Sequence, residues 1–135
     1  MPADGSAREI QVTRSGGWRS RESLDSKTLY YQKFDLPGLF RMPVNGGSEE
    51  RIAEVQPPED WQLAPEGIYY FRREGGGYVV ERVDLKSGRT TEALKLSPGT
   101  TGGTSNFTVS PDGRWLVFVH ADQTVSELMM IENFH

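Results

Sequence analysis

Short runs of apolar, β-prone residues alternate along this chain with turns that contain glycine or proline. The chain has 15 glycines and 8 prolines, and the segments between them favour Tyr, Val, Ile, Phe and Leu, which is typical of strands. Residues 126–134 fit a 3.6-residue helical period, but Leu128 to Ile131 form a contiguous apolar run that a buried strand explains as easily. We interpret this segment as a strand. The pattern therefore predicts an all-β chain.

One pattern occurs three times, at a spacing of about 40 residues. Each copy has a short strand, a turn centred on Asp25, Glu66 or Asp112, an apolar second strand and a third strand. In the first two copies a glycine-containing hairpin leads to a fourth strand. Four antiparallel strands per repeat are typical of β-propeller blades. The alternative is a β-sandwich, which has no reason to repeat the same turn in phase.

This strand count divides the chain into a partial β-propeller of three blades, at residues 14–55, 56–98 and 99–135. The third blade lacks a fourth strand, whereas residues 8–13 form an orphan strand of outer-strand character. A propeller needs at least four blades to close. We therefore expect a six-bladed homodimer in which this N-terminal strand completes the last blade of the partner, across more than about 1,600 Å² of interface. A nine-bladed trimer is the alternative.

The turn Ser110-Pro111-Asp112-Gly113 resembles the turn of TolB-like, or PD40-type, repeats in WD40-like β-propellers. Residues 23–26 and 64–67 are degenerate copies of it. Stretches such as "ESLDSKTLYYQK", "MPVNGG" and "ELMMIENFH" are similar to the C-terminal propellers of bacterial, often acidobacterial, proteins that fuse a winged-helix regulator to a propeller. The resemblance implies the sensory or scaffold part of a larger bacterial regulator. The winged helix is not in this chain, so DNA binding is not implied for it.

Composition narrows the classes of function. The net charge is −4 and no basic run is longer than Arg72-Arg73, so the chain lacks the electrostatic signature of nucleic-acid binding. The absence of cysteine excludes disulfides, thiolate metal sites and cysteine nucleophiles. We find no signal-peptide core and no apolar stretch long enough to span a bilayer. We therefore expect a soluble chain, in the bacterial cytoplasm or periplasm, with no membrane partner.

Candidate catalytic groups are sparse. Glu59 and Asp60 are adjacent in the sequence and would point to opposite faces of a strand. His120 and His135 have no phased cluster of metal-ligating residues around them. We therefore expect a non-enzymatic module without a cofactor or metal that binds a protein or ligand. The alternative is an accessory gating propeller of a prolyl-oligopeptidase-type hydrolase, which similar repeats also build.

Polar residues recur at two matching positions of the predicted innermost strands. The set comprises Arg19, Asp60 and Asn106 at the first position, and Arg21, Gln62 and Thr108 at the second. They are candidates to line the central channel and bind a small ligand or another protein there; alternatively they satisfy backbone and inter-blade contacts. In the first predicted innermost strand, Glu22 stands at the position that the apolar residues Leu63 and Val109 occupy in the other two. It must therefore be paired with a cation or exposed at the channel.

Overall fold

The computed structural model describes residues 11–54, 61–96, 107–121 and 126–134, and three antiparallel sheets form within these ranges. Sheet 1 contains β1 (Trp18–Glu22), β2 (Thr28–Gln32), β3 (Leu39–Pro43) and β4 (Glu50–Ala53). Sheet 2 contains β5 (Gln62–Ala64), β6 (Gly67–Glu74), β7 (Gly77–Asp84) and β8 (Thr90–Leu96). Sheet 3 contains β9 (Phe107–Val109), β10 (Trp115–Ala121) and β11 (Ser126–Glu132). The all-β prediction is confirmed.

Neighbouring strands of each sheet follow one another in the chain. This meander agrees with the strand order expected for each repeat. The segment for which a helix and a strand were both considered forms β11, a strand paired with β10 along its whole length. Within the described ranges, no helix is long and apolar enough to cross a membrane.

The acidic turn between the first two strands is built in the same way in sheets 1 and 3. In sheet 3, the Ser110 hydroxyl donates to the Asp112 carboxylate and accepts from the Trp115 backbone N–H at 2.9 Å. Ser23 and Asp25 make the corresponding bonds in sheet 1. The serine hydrogen bonds, assisted by backbone N–H groups, lower the pKa of both aspartates. The recurring sequence phrase is therefore a local hydrogen-bonded turn.

The corresponding turn of sheet 2 differs. Ala64 pairs directly with Gly67, so that Pro65 and Glu66 form a two-residue hairpin turn. Gly67 does not adopt a positive φ, unlike Gly113 in sheet 3. Instead, a Cβ at Gly67 would lie 2.6 Å from the carbonyl oxygen of Val83. Close packing of β6 against β7 is therefore the reason for glycine at this position.

Two hydrophobic cores hold the three sheets face to face. The core between sheets 1 and 2 contains Tyr30, Leu39, Ala53, Trp61, Ile68, Tyr70 and Val83. The core between sheets 2 and 3 contains Ala64, Tyr69, Phe71, Val80, Leu96, Phe107, Val109, Leu116, Phe118 and Phe134. Successive residues of a strand point to opposite faces, so adjacent residues of β6 enter different cores. Sheet 2 therefore lies in the middle and is covered on both faces.

The N-terminal segment, residues 11–15, is not a strand, although residues 8–13 were expected to form one. Residues 8–10 lie outside the described part of the chain. Gly16, which lies between this segment and β1, adopts a φ of 81°. The segment lies across the outer face of sheet 1. There the Lys33 Nζ donates a hydrogen bond to the Ser15 Oγ at 3.0 Å. Within one chain, these residues therefore contact sheet 1 and not sheet 3. Pairing with a second copy stays a prediction.

Candidate interaction surfaces

The three innermost strands place polar residues at one matching position. The pairs between the first and second strands are Arg21–Tyr30, Gln62–Tyr69 and Thr108–Val117. Arg21 and Thr108 are exposed and Gln62 is half-buried. The Arg21 guanidinium carbon lies 5.7 Å from the centre of the Trp61 ring. These three residues therefore occupy equivalent positions, and their role in a channel stays a prediction.

β1 contains a β-bulge at Arg19, one of the residues of the other predicted position. β1 has one extra residue relative to β2 between Trp18 and Arg21, so that Trp18 stands opposite Gln32. Arg19 adopts a φ of 45°, and its guanidinium carbon lies 4.7 Å from the centre of the Trp18 ring. Regular two-residue spacing in the sequence does not reveal such a bulge. The spacing of Arg19 along β1 is therefore irregular, and its alignment with Asp60 and Asn106 stays a prediction.

Asp60 and Asn106, the other two members of that position, lie outside the described residues. Glu22 lies opposite Leu29 and is exposed. In the described ranges, no group of three His, Cys, Asp or Glu side chains could hold a metal ion. Of the candidate channel residues, the structure therefore places Arg21, Gln62 and Thr108 at equivalent positions, and the channel and its ligand stay predictions.

An ionic cluster around the buried Lys33, on the outer face of sheet 1, was not predicted from the sequence. Lys33 is only 4% exposed, and its Nζ donates to the Glu49 Oε1 at 2.6 Å. The Tyr31 hydroxyl donates to the other Glu49 oxygen, and the Lys33 Nζ lies 4.7 Å from the centre of the Phe40 ring. Lys33 and Glu49 are 16 residues apart, so no local pattern signals the pair.

Competing effects act on the carboxyl of Glu49. Burial raises its pKa, but hydrogen bonds from Lys33 and Tyr31 outweigh burial and hold the pKa below the usual value of 4.5. Burial and the neighbouring carboxylate raise the pKa of Tyr31. The ionised carboxylate is therefore the form that the folded chain stabilises.

We expect acid to destabilise the fold through Glu49. A folded-state pKa below the unfolded value gives stability that is present above about pH 4.5 and is lost as the pH falls through the folded pKa. Glu49→Gln should lower the free energy of unfolding by about 1–3 kcal/mol at pH 7, with a flatter dependence below pH 5. Urea unfolding between pH 7 and pH 3 measures both effects.

Glu50→Gln is the matched control, because Glu50 makes a more exposed ion pair with Arg41. Such a pair contributes less than about 1 kcal/mol. Equal pH profiles for the wild-type chain and Glu49→Gln would contradict the stabilising role of the Glu49 carboxylate.

A groove with a volume of about 290 Å³ lies where the turns of sheets 1 and 2 meet. Leu24, Leu63 and Leu85 are its larger aliphatic residues, and Ser23 and Asp25 are among its polar ones. Leu24 is 69% exposed. The Asp25 carboxyl is ionised at neutral pH, as its ordinary pKa of 3.8 requires, and the Ser23 hydrogen bond lowers that pKa further. The groove therefore combines an apolar wall with one negative charge.

The end face of sheet 3 is the side turned away from sheet 2, and it is also apolar. Its apolar members, which share this face through the pairing of β10 with β11, are Trp115, Val117, Val119, Leu128 and Met130, and Glu132 lies opposite Trp115 on the same face. Leu128 is 76% exposed and Met130 is 60% exposed. We interpreted the apolar run in this segment as a buried strand; the strand is confirmed, but its burial is not.

Several solved structures resemble the chain, although no protein-family model and no curated protein sequence matches it. TolB from Acinetobacter baumannii is 18% identical with a TM-score of 0.53; the match covers 79% of this chain and 28% of TolB. A protein described as TolB from Agrobacterium tumefaciens is 18% identical with a TM-score of 0.57, covering 82% and 40%. A protein described as a 6-phosphogluconolactonase from Bacteroides uniformis is 18% identical with a TM-score of 0.50, covering 88% and 39%.

At this level of identity, the similarity shows the fold alone. The chain therefore has a β-propeller fold similar to that of the TolB structures, as the phased four-strand repeat predicts. It spans only 28% to 40% of the length of these three structures. Closure of the propeller, the total number of blades and fusion to a winged-helix regulator stay predictions.

Proposed function

We propose that this chain is a non-enzymatic β-propeller module that binds another protein, as the sensory or scaffold part of a larger bacterial regulator. The observation that carries the proposal is the groove between the turns of sheets 1 and 2, where Leu24 is exposed beside Asp25. Binding residues concentrate on loops that a rigid scaffold positions. Here the scaffold is the core between sheets 1 and 2.

The chemistry of the groove favours a segment of a partner protein. Its volume of about 290 Å³ is at the lower end of the range of about 300–1,000 Å³ for small-molecule pockets. Leu63 and Leu85 provide half-buried apolar surface, which suits one large apolar side chain of the partner. The Asp25 carboxylate favours a neighbouring lysine or arginine on the same segment.

The regulator context rests on the resemblance of the repeated turn, and the fold gives only the propeller architecture. The TolB structures share the propeller architecture, and Ser110-Pro111-Asp112-Gly113 resembles the turn of regulator-fused propellers. In such a protein, the propeller would receive a signal as a protein contact and leave DNA binding to another domain. The net charge of −4 agrees with this division of roles.

We expect a peptide library displayed on phage to yield ligands for the purified chain that place an apolar residue next to lysine or arginine. Leu24→Asp should weaken these peptides at least about tenfold, because it puts a charge in the apolar wall. Fluorescence anisotropy with synthetic versions of the selected peptides measures their affinities. Leu36→Asp is the matched control, since Leu36 is exposed and does not line the groove.

Two results would overturn the proposal. One is a library that yields no specific peptide. The other is a set of peptides whose affinities are unchanged by Leu24→Asp. Circular dichroism and thermal melting of both variants ensure that a loss of binding is not a loss of folding.

A further inference from the structure

The two sheet-to-sheet contacts involve residues at equivalent positions of their strands. Tyr30 of β2 packs toward sheet 2, and Tyr69, the corresponding residue of β6, packs toward sheet 3. The corresponding residue of β10 is Val117, by its place after the turn and its pairing with β9. Val117 lies on the end face of sheet 3. That face is therefore the next member of a series in which each sheet packs on a following one.

The opposite faces form a second series. Ile68 packs toward sheet 1, and Leu116, at the corresponding position, packs toward sheet 2. In sheet 1 the corresponding residue is Leu29, which lies on the outer face of that sheet. The buried residues that it packs against there are Tyr31, Phe40 and Met42. The two outer faces of the chain therefore carry the same equivalent positions that meet in each sheet-to-sheet contact within it.

We propose that the end face of sheet 3 packs against the outer face of sheet 1 in a second copy of this chain. The contact continues, at matching positions, the two sheet-to-sheet contacts within each chain. Repeated twice around a twofold axis, it closes a ring of six sheets, within the four to eight blades that are usual for propellers. It also covers Leu128 and Met130, which one copy leaves exposed.

The N-terminal segment occupies the place of the second copy on sheet 1. A cavity of about 420 Å³ remains between residues 11–15 and the region of Met42, residues 45–47 and Glu49. The face is already covered in one copy, where Tyr31, Phe40 and Met42 are buried. The segment must therefore move off sheet 1 when the second copy binds. Gly16, with a φ of 81°, is the residue between the segment and β1 at which the chain can turn.

Sedimentation of the full chain tests the proposal. We expect a dimer with twice the monomer mass of 15.1 kDa. The double variant Leu128→Asp/Met130→Asp should be a folded monomer, because both side chains are exposed in one copy. Leu24→Asp, at a residue of similar exposure in the groove, should remain a dimer. Circular dichroism of each variant checks folding.

Single cysteines then locate the contact, since the natural sequence contains none. We expect a Leu29→Cys chain mixed with a Met130→Cys chain to form a disulfide-linked heterodimer under mild oxidation. A Leu24→Cys chain mixed with the same Met130→Cys chain should not form one. Deletion of residues 1–13 should leave the dimer intact or tighten it, because the competing segment is then removed.

Several outcomes would overturn the proposal. One is a wild-type chain that stays monomeric at about 100 μM, well above a micromolar dissociation constant. The two faces would then be covered by further sheets of a longer polypeptide. A dimer that survives Leu128→Asp/Met130→Asp does not use the end face. A dimer that is lost on deletion of residues 1–13, while the deleted chain stays folded, is held by exchange of the N-terminal strand.

Discussion

Replacing Gly88 by alanine is expected to lower the free energy of unfolding by about 3 kcal/mol. Gly88 lies in the turn between β7 and β8 with a φ of 68°. A Cβ at this position would overlap the backbone carbonyl of Ile52 in sheet 1. The substitution therefore combines a strained backbone conformation with a clash between two sheets. Urea unfolding, followed by tryptophan fluorescence, measures the loss.

Gly113→Ala separates the two causes. Gly113 adopts a similar φ of 71°, but a Cβ there would meet nothing within 4 Å. Only the backbone strain remains, which costs about 1–2 kcal/mol. If the two variants lose the same stability, the close approach of the β7–β8 turn to sheet 1 is not a constraint on the fold.

Replacing Phe71 by alanine is expected to cost about 3–5 kcal/mol, as is usual when a buried aromatic ring is removed. Phe71 is buried in the core between sheets 2 and 3. Its ring stacks on Phe107 with the ring centres 4.4 Å apart and meets the edge of Phe118 at 6.5 Å. The loss should appear as a lower urea midpoint in a single unfolding transition, because the ring joins two sheets.

Phe34→Ala deletes the same side chain at the surface. Phe34 is 77% exposed, and its ring centre lies 4.2 Å from that of Trp18. We expect a loss of less than about 1 kcal/mol. Comparable losses for the two variants would contradict the placement of Phe71 at the centre of a core.

The strands could be predicted from the sequence because local signals define them. Each strand is a short β-prone run between turns, and Ser110 and Asp112 bond within five residues of one another to fix their turn. Alternation also gives the register of Arg21, Gln62 and Thr108, since the turn fixes how the first two strands pair. These features depend on residues that are close in the sequence.

The remaining features depend on residues that are distant in the sequence or on a single inserted residue. The bulge at Arg19 changes the register without changing composition or alternation. Lys33 and Glu49 meet only after β3 has paired with β2. The apolar run at Leu128 to Ile131 predicts a strand, but local pattern does not tell what covers it.

The central position of sheet 2 has a consequence for the order in which the chain opens. Sheet 2 takes part in both cores, whereas sheets 1 and 3 each take part in one. Separation of sheet 3 exposes Phe107 and Phe118 but leaves the core around Trp61 intact. In a single copy, which is a linear array of repeats, such end units open at a lower free energy than the middle one. Amide protons in β6 and β7 are thus the last to exchange with solvent, after those at both ends of the stack.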